Sequence, residues 1–429
     1  MLNDFACKKS YDVIVVGGGF SGCAAALAAA RGGCSVLLCE QYGALGGAAV
    51  NNLVLPFMAW YTNIVNSDGK RERFYLSRGI FAEICDELKK FGALENGCFN
   101  EEYLKIVLDR MLADSGVNVL FHATLCDAIT ADSEIKSLSV ITKAGKLDFS
   151  AKCFIDCTGD ADLAVMSGCP FRLGRPADTL CQPMTLCFRV ANVDTEVFFT
   201  AESREKMQAI YKSWQESGKT SDPRENLLVF RTLINGVVHF NSTRIVKKNP
   251  VDPFDVSYAE AEGRKQMLEI FTMLKEELPA FKNAQLLESS IAIGARESRM
   301  IDGEHILDEL ELKNCTRFED AIAAGNYDID IHSPDGAGTD HYYFKDGEYY
   351  TIPYRCLLPK NINNLLVAGR CCSVTHEAQA SVRIMPIVCC LGEAAGVGAA
   401  TAIKYGVNAK NADISEIQRV LKENGAFFG

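Results

Sequence analysis

No feature restricts the fold of this chain more than the cluster Gly17-Gly18-Gly19-Phe20-Ser21-Gly22. It follows Tyr11 to Val16, which reads as a buried strand, and opens an alanine-rich segment from about Phe20 to Arg31 that reads as a helix. Gly32-Gly33 supplies the helix stop, and Ser35 to Cys39 reads as a second buried strand ending in Glu40. Gly17, Gly19 and Gly22 occupy the glycine places of a G-x-G-x-x-G turn in a strand–helix–strand unit. Gly17 makes the tight turn, Gly19 lets backbone approach a pyrophosphate, and Gly22 lets the helix pack closely on the strand. A helix N-terminus offers free N–H groups and partial positive charge to phosphates, which brings Phe20 and Ser21 of its first turn into the candidate site. Glu40 puts a carboxylate where it can accept from ribose hydroxyls, with Gln41 beside it. A glycine turn that binds nothing leaves that carboxylate unexplained, so this end of the chain is expected to bind a dinucleotide.

Beyond this unit, Phe81 to Phe91 and Glu101 to Ser115 read as amphipathic helices, and Val117 to Thr124 and Leu138 to Thr142 as strands. Lys152 to Asp156 is a short apolar strand running into Cys157-Thr158-Gly159-Asp160. Residues 175–349 have a different texture. Met207, Ile210, Tyr211 and Trp214 mark one helix, Met267, Ile270, Phe271 and Leu274 another, and Leu227 to Phe240 reads as strands between them. Asp346-Gly347 between aromatic runs signals a hairpin over Tyr342 to Tyr350. After residue 350 the first texture returns: Leu365 to Ala368 is a buried strand followed by Gly369-Arg370. Pro386 suits the first position of a helix reaching about Tyr405. Small residues in that helix, among them Gly392 and Gly396, allow close packing on a neighbour. Asp413 and Glu416 suggest a capping box for a last short helix. The fold class is therefore α/β. A Rossmann-like dinucleotide-binding domain with a parallel sheet is split between residues 1–174 and 350–429. A mixed α+β domain, 175–349, is inserted as the substrate or cap domain.

Composition excludes several classes. With 429 residues, 48% of them hydrophobic and 23% charged, the chain is ordinary globular material able to bury a large core. A net charge of −11 argues against a nucleic-acid partner. No apolar run reaches the ~18 residues of a membrane span, and Met1 to Ser10 carries no apolar signal stretch. These features lead to an expected cytoplasmic location, in which the 18 cysteines stay reduced. No pair is spaced C-x-x-C, so an iron–sulfur cluster is not supported and no metal is expected.

The glycine loop, the second motif at Phe154 to Asp162 and the C-terminal return together resemble a flavoprotein of the glutathione-reductase structural type. Gln182-Pro183-Met184-Thr185, Gly294-Ala295-Arg296-Glu297-Ser298-Arg299, Ile352-Pro353-Tyr354-Arg355, Asn364 to Arg370 and Thr375-His376-Glu377-Ala378 narrow the likeness. They resemble the FAD-dependent oxidoreductase family, whose flavin domain is related to that of the flavin-carrying component of heterodisulfide reductase. The resemblance implies non-covalent FAD. It assigns Gly46 and Gly47 to the pyrophosphate, Thr158, Gly159 and Asp160 to a second dinucleotide motif, and Gly369 and Arg370 to the ribityl chain, with Arg370 where relatives often carry Asp. It also implies that the helix beginning near Pro386 aims its N-terminus at the pyrimidine edge of the flavin, where reduction adds negative charge. The split of the dinucleotide unit between the chain's two ends also suits a cofactor buried across a domain boundary.

The candidate catalytic residues follow from that placement. His376 lies between the Gly369-Arg370 turn and the last long helix, and a histidine exchanges protons near neutral pH. Glu377 can orient it or replace it. Arg383, Arg296 and Arg299 are of the type that grips a carboxylate or phosphate; each has an internal ion pair as its alternative, as does Arg244. Vicinal Cys371-Cys372 reads as packing rather than a redox pair. His332, Asp335, Asp340 and His341 fit no ligand spacing and read as a solvated loop. The expected activity is hydride transfer between flavin N5 and a small, polar or anionic substrate, with an electron-carrier protein as a possible partner and the oligomeric state open. Three other readings stand beside it: an electron-transfer subunit working with an iron–sulfur protein, a flavin monooxygenase or halogenase, and a non-enzymatic dinucleotide sensor.

Overall fold

The computed structural model describes residues 8–429; the opening segment read above for its lack of an apolar stretch falls mostly outside them. Strand β1 (Ser10–Val16) buries Val13, Ile14 and Val15 on both of its faces, as a strand covered on two sides must. Helix α1 (Phe20–Arg31) follows the glycine turn, and β2 (Val36–Cys39) returns parallel to β1, Val13 opposite Val36 and Val16 opposite Cys39. Helices α2 (Ile80–Lys90) and α3 (Glu101–Asp114) add their apolar faces to the same core. Asn100 starts α3 by accepting the N–H groups of Glu102 and Tyr103. Strand β3 (Asn118–Leu120) then pairs parallel with β2.

A meander of β4 (Thr124–Ala131), β5 (Glu134–Thr142) and β6 (Gly145–Asp156) completes this side. The last strand is longer than the segment 152–156 expected from sequence. Its first half pairs antiparallel with β5 and is largely exposed, so it lacks an apolar run; its second half turns parallel to β1 and is buried.

The middle of the chain builds a four-stranded antiparallel sheet. β7 (Phe188–Ala191) lies between β9 (Val238–Phe240) and β10 (Gln285–Ser289), and β8 (Val229–Arg231) pairs with β9. Helices α4 (Ala201–Glu216) and α5 (Pro253–Glu277) cover one face. Phe188, Phe198, Tyr211, Trp214, Met273 and Phe281 form its core.

The next strands return to the first core. β11 (Ala321–Gly325) contributes Ile322 and Ala323 to it, and β12 (Ile329–His332) pairs with β13 (Thr339–Tyr342). Met300, Leu307 and Leu312 also pack there, although they fall within 175–349. The hairpin expected over Tyr342 to Tyr350 does not form. Residues 345–348 do turn, but β14 (Tyr350–Pro353) pairs with β11 instead, and Tyr342, Phe344 and Tyr350 pack ring against ring.

β15 (Leu365–Val367) joins β6 in parallel, which sets the order β3-β2-β1-β6-β15. β2 lies to one side of β1 and β6 to the other, and such a reversal opens a crevice at the strands' C-terminal ends. Helix α6 (His376–Val382) precedes α7 (Met385–Tyr405), the one helix among the described residues long and apolar enough to cross a membrane. Its most apolar stretch is 94% buried inside the protein. It packs on α1 so closely that a Cβ at Gly392 would stand 2.0 Å from Ser21 O, and one at Gly396 2.3 Å from Ala25 O. The final helix α8 (Ile414–Glu423) is capped by Asp413, which accepts from Ser415 N–H. The expected capping box is absent because Glu416 pairs with Arg419 and Lys404 instead.

Candidate active site

A cleft of about 510 Å³ runs from the C-terminal ends of β1 and β6 to the antiparallel sheet. That volume falls within the ~300–1,000 Å³ range of small-molecule and cofactor sites.

Its first end is made of backbone. Gly17, Gly19, Phe20 and Ser21 line it, with Gly46 and Gly47 opposite. The two turns touch: a Cβ on Gly47, whose φ is +52°, would stand 2.7 Å from Gly19 Cα. Gly22 serves the helix rather than the cleft, since a Cβ there would meet Gly17 O at 1.7 Å. α1 has no side-chain cap and no acid in its first turn, so its N-terminal N–H groups stay available to an anion. Glu40 is buried, and its two oxygens accept from Gly18 N at 2.6 Å and Tyr42 N at 2.8 Å. Burial raises its pKa, and the backbone bonds oppose that rise. Each oxygen keeps a lone pair for a ribose hydroxyl. Asn51 also lines the cleft, 3% exposed, and its Oδ1 has no partner among the described residues. An orphaned acceptor, an uncapped helix and a cradle without Cβ atoms fit a dinucleotide.

The middle of the cleft is set by Asp156. Its carboxylate accepts from Thr158 N at 3.0 Å, Thr158 Oγ1 at 2.7 Å and Ala164 N at 2.9 Å, which shapes the turn carrying Thr158, Gly159 and Asp160 to the wall. Arg370 bridges Asp160 Oδ1 at 2.8 Å and Ser298 Oγ at 2.9 Å, while Gly369 lines the cleft beside it. α7 is a second helix without a side-chain cap or an acid in its first turn. Ile384, Met385 and Val388 bring its start to the cleft; Pro386, the second residue of the helix, is not among the lining residues.

The far end is cationic. Arg296 donates to Pro183 O at 2.8 Å, Thr185 Oγ1 at 2.6 Å and Asn241 Oδ1 at 3.4 Å, all neutral oxygens. Burial and the charges of Arg224, Arg383 and Arg244 lower its pKa to about 9, still cationic at neutral pH. Asp330 Oδ2 accepts from Tyr327 OH at 3.0 Å and faces His332 Nε2 at 3.4 Å and Arg383 Nη2 at 3.7 Å. Burial alone would raise the Asp330 pKa, but His332, Arg383 and Tyr327 together hold it well below the usual carboxylate range. His332 is lowered to about 3 by burial and by the charge of Arg296, so its ring is neutral. Its tautomer follows from its neighbour: Arg244 Nη2 lies 2.9 Å from Nδ1 and can only donate, so the ring proton sits on Nε2, facing Asp330.

The structure separates the candidate catalytic residues. Arg296 and Arg383 line the cleft; His376, Glu377 and Arg299 do not. Arg299 donates to Asp160 O at 2.7 Å and pairs with Asp162, the internal ion pair named as its alternative. His376 is buried and donates through Nδ1 to Glu297 Oε1 at 2.7 Å, while Glu297 Oε2 accepts from Gln182 N at 2.8 Å. This pair stands behind the wall as a brace. Gln182 bonds Gln379, and Gln379 Nε2 donates to Arg296 O at 2.8 Å. Arg244 likewise acts from behind, tying His332 to Gly336 O, Gly338 O and Glu225. Sequence reasoning missed Tyr327, Asp330 and Asn241, and it placed His332 in a solvated loop although only 6% of it is exposed. The signal was present in Ile329-Asp330-Ile331-His332: alternation puts Asp330 and His332 on one face of a strand.

The profile of the FAD dependent oxidoreductase family matches residues 12–421. A tRNA uridine 5-carboxymethylaminomethyl modification enzyme of Geotalea uraniireducens is 73% identical over 33 residues, 8% of this chain and 5% of that protein's length. Among solved structures, a geranylgeranyl bacteriochlorophyll reductase-like protein of Thermoplasma acidophilum shares 13% identity at a TM-score of 0.49, over 97% of this chain and 84% of that one. A p-nitrophenol 4-monooxygenase of Pseudomonas putida shares 11% identity at a TM-score of 0.47, over 97% and 87%.

Proposed function

The chain belongs to the FAD dependent oxidoreductase family, and from that premise we propose that it transfers a hydride between flavin and a small polar or anionic organic molecule bound at the arginine-lined end of the cleft. The observation that carries this reading is continuity: the glycine cradle and the arginine end line one cavity. When bound, FAD supplies a two-electron centre that exchanges hydride at N5.

This chain's residues supply the rest. The first turn of α1 would receive the pyrophosphate, Glu40 the ribose, and the start of α7 the charged edge of the ring. Arg296 and Arg383 hold and polarise the substrate. Asp330 stays ionised, His332 keeps its proton on Nε2, and Tyr327 keeps its own because burial and the Asp330 charge raise its pKa. The antiparallel sheet contributes Phe230 to the wall, with Leu228 and Asn241 at the ends of its strands, which supports a role for residues 175–349 as the substrate domain.

Anaerobic titration of the flavin-loaded protein with NADH, NADPH and candidate organic acids or alcohols tests the proposal. Bleaching of the flavin band by one of them is expected. A flavin that dithionite alone reduces, and that only a protein electron carrier reoxidises, would instead favour an electron-transfer subunit.

A further inference from the structure

We infer that the substrate is an organic carboxylate, gripped through its carboxylate group by Arg383 and Arg296. This deepens the flavin reading of the same cleft and rests on it. Arg383 is the key observation. Among the described residues its guanidinium donates no hydrogen bond, its Nε is buried and unpartnered, and the nearest acid oxygen is 3.7 Å away. A guanidinium carries five N–H donors, and leaving a buried one such as Nε without an acceptor is costly. Asp330 does not serve it well, because the same oxygen accepts from Tyr327. Arg296 is in a related state, its donors spent on neutral oxygens with no carboxylate opposite.

The surroundings add to the imbalance. Arg224 and Arg244 stand close enough behind to lower the pKa of Arg296. The acids nearby are fewer than the four arginines. Glu225 is paired with Arg244. Asp330 shares its Oδ2 among Tyr327, His332 and Arg383, while its Oδ1 has no hydrogen-bond partner among the described residues. Asp222, raised to about 7 by burial, carries only part of a charge. Positive charge is thus in excess at a buried wall, and an anion from outside completes it.

Two features select an organic carboxylate over an inorganic anion. The guanidinium fork matches the planar, two-oxygen geometry of a carboxylate. The wall beside Arg296 is apolar: its partner Asn241 is tied through its backbone to Leu228, and Leu228, Phe230 and Met184 all face the cleft. A ligand there needs a hydrocarbon body as well as a charge.

The test uses the flavin-loaded protein and flavin difference spectra at fixed ionic strength. Acetate, malonate, succinate and benzoate are compared with their methyl esters or amides and with inorganic phosphate. At least one carboxylate is expected to perturb the flavin spectrum saturably, with its ester, its amide and phosphate at least tenfold weaker. R383Q should weaken that carboxylate by tenfold or more without changing FAD content, and R383K should weaken it less, since charge remains but the fork is lost. If R383Q does not retain FAD, R383K and R296K carry the test. The proposal is overturned if no carboxylate perturbs the flavin, if phosphate or the uncharged analogues bind equally well, or if the arginine variants leave affinity unchanged. A protein that holds no flavin contradicts the functional reading instead; calorimetric titration with the same acids then decides the clamp by itself.

Discussion

Glu297 is fully buried, and its two oxygens are answered by the Gln182 N–H and the His376 ring. Removing the histidine leaves a buried carboxylate half answered, a loss of about 3–5 kcal/mol where one partner of a buried pair is deleted. H376A is therefore expected to lower the melting temperature markedly while leaving the pH profile of flavin reduction unchanged. A shifted pH profile in a stable H376A protein would restore His376 as a proton-transfer group. Asp162, which also lines the cleft, is raised to about 6 by burial and by its acidic neighbours and does titrate near neutrality. The arginine end predicts a flat profile: with Asp330 ionised, His332 lowered to about 3 and Tyr327 protonated, none of these three changes state between roughly pH 5 and 8. Steady-state kcat/KM measured over that interval should show no break from these residues. Glu393 behaves differently. Burial raises its pKa to about 7, and its Oε1 has no partner among the described residues. The folded protein then binds more protons than the unfolded chain between about pH 4.5 and 7, so stability falls as pH rises through that window, by on the order of 3 kcal/mol. E393Q keeps an acceptor for the Ile80 N–H and should remove that slope in urea titrations at pH 5 and pH 8.

At the scale of elements, the contact between α1 and α7 joins the two ends of the chain and sets the cradle. Gly392 meets Ser21 O, and Ser21 belongs to the turn that lines the cleft. G392V forces the helices apart, with an expected cost of about 1–3 kcal/mol from overpacking and at least tenfold weaker FAD binding. FAD fluorescence quenching on titration into the stripped protein measures it; unchanged affinity would separate the helix contact from the cradle. This contact was legible in part. The small residues of α7 announced a close neighbour, but only the fold identified α1 as that neighbour. The first strand, glycine turn, helix and second strand were fully legible because their signals are local: an apolar run, a glycine turn and an apolar helix inside thirty-odd residues. The hairpin near Asp346 misled because an Asp-Gly turn specifies a chain reversal and not which strands pair across it, and β11 competes successfully for Tyr350.

At the scale of the whole molecule, the glycine end of the cleft was readable and the arginine end only in part, through Arg296 and Arg383. The first is written in glycine spacing. The second is assembled from Pro183 to Thr185, Asn241, Arg296, Tyr327 to His332 and Arg383, brought together across some two hundred residues of chain. Nothing local distinguishes Arg383, which faces the cleft, from Arg299, which is spent in an ion pair. The cysteines follow the same logic. Cys371, Cys372, Cys389 and Cys390 are buried, and desolvation pushes Cys372 and Cys390 up to about 12 and their neighbours well above the usual thiol range. These four should resist iodoacetamide in the native protein and react after denaturation, as read by peptide mass spectrometry; rapid native labelling would contradict their role as packing.

The central claim, that the glycine cradle and the cationic end share one flavin-holding cleft, is tested most directly by the visible spectrum of the purified protein before and after denaturation. The account predicts a flavin spectrum, release of one FAD per chain on denaturation, and a bound spectrum that a carboxylate ligand perturbs. A colourless protein that cannot be reconstituted with FAD would contradict it.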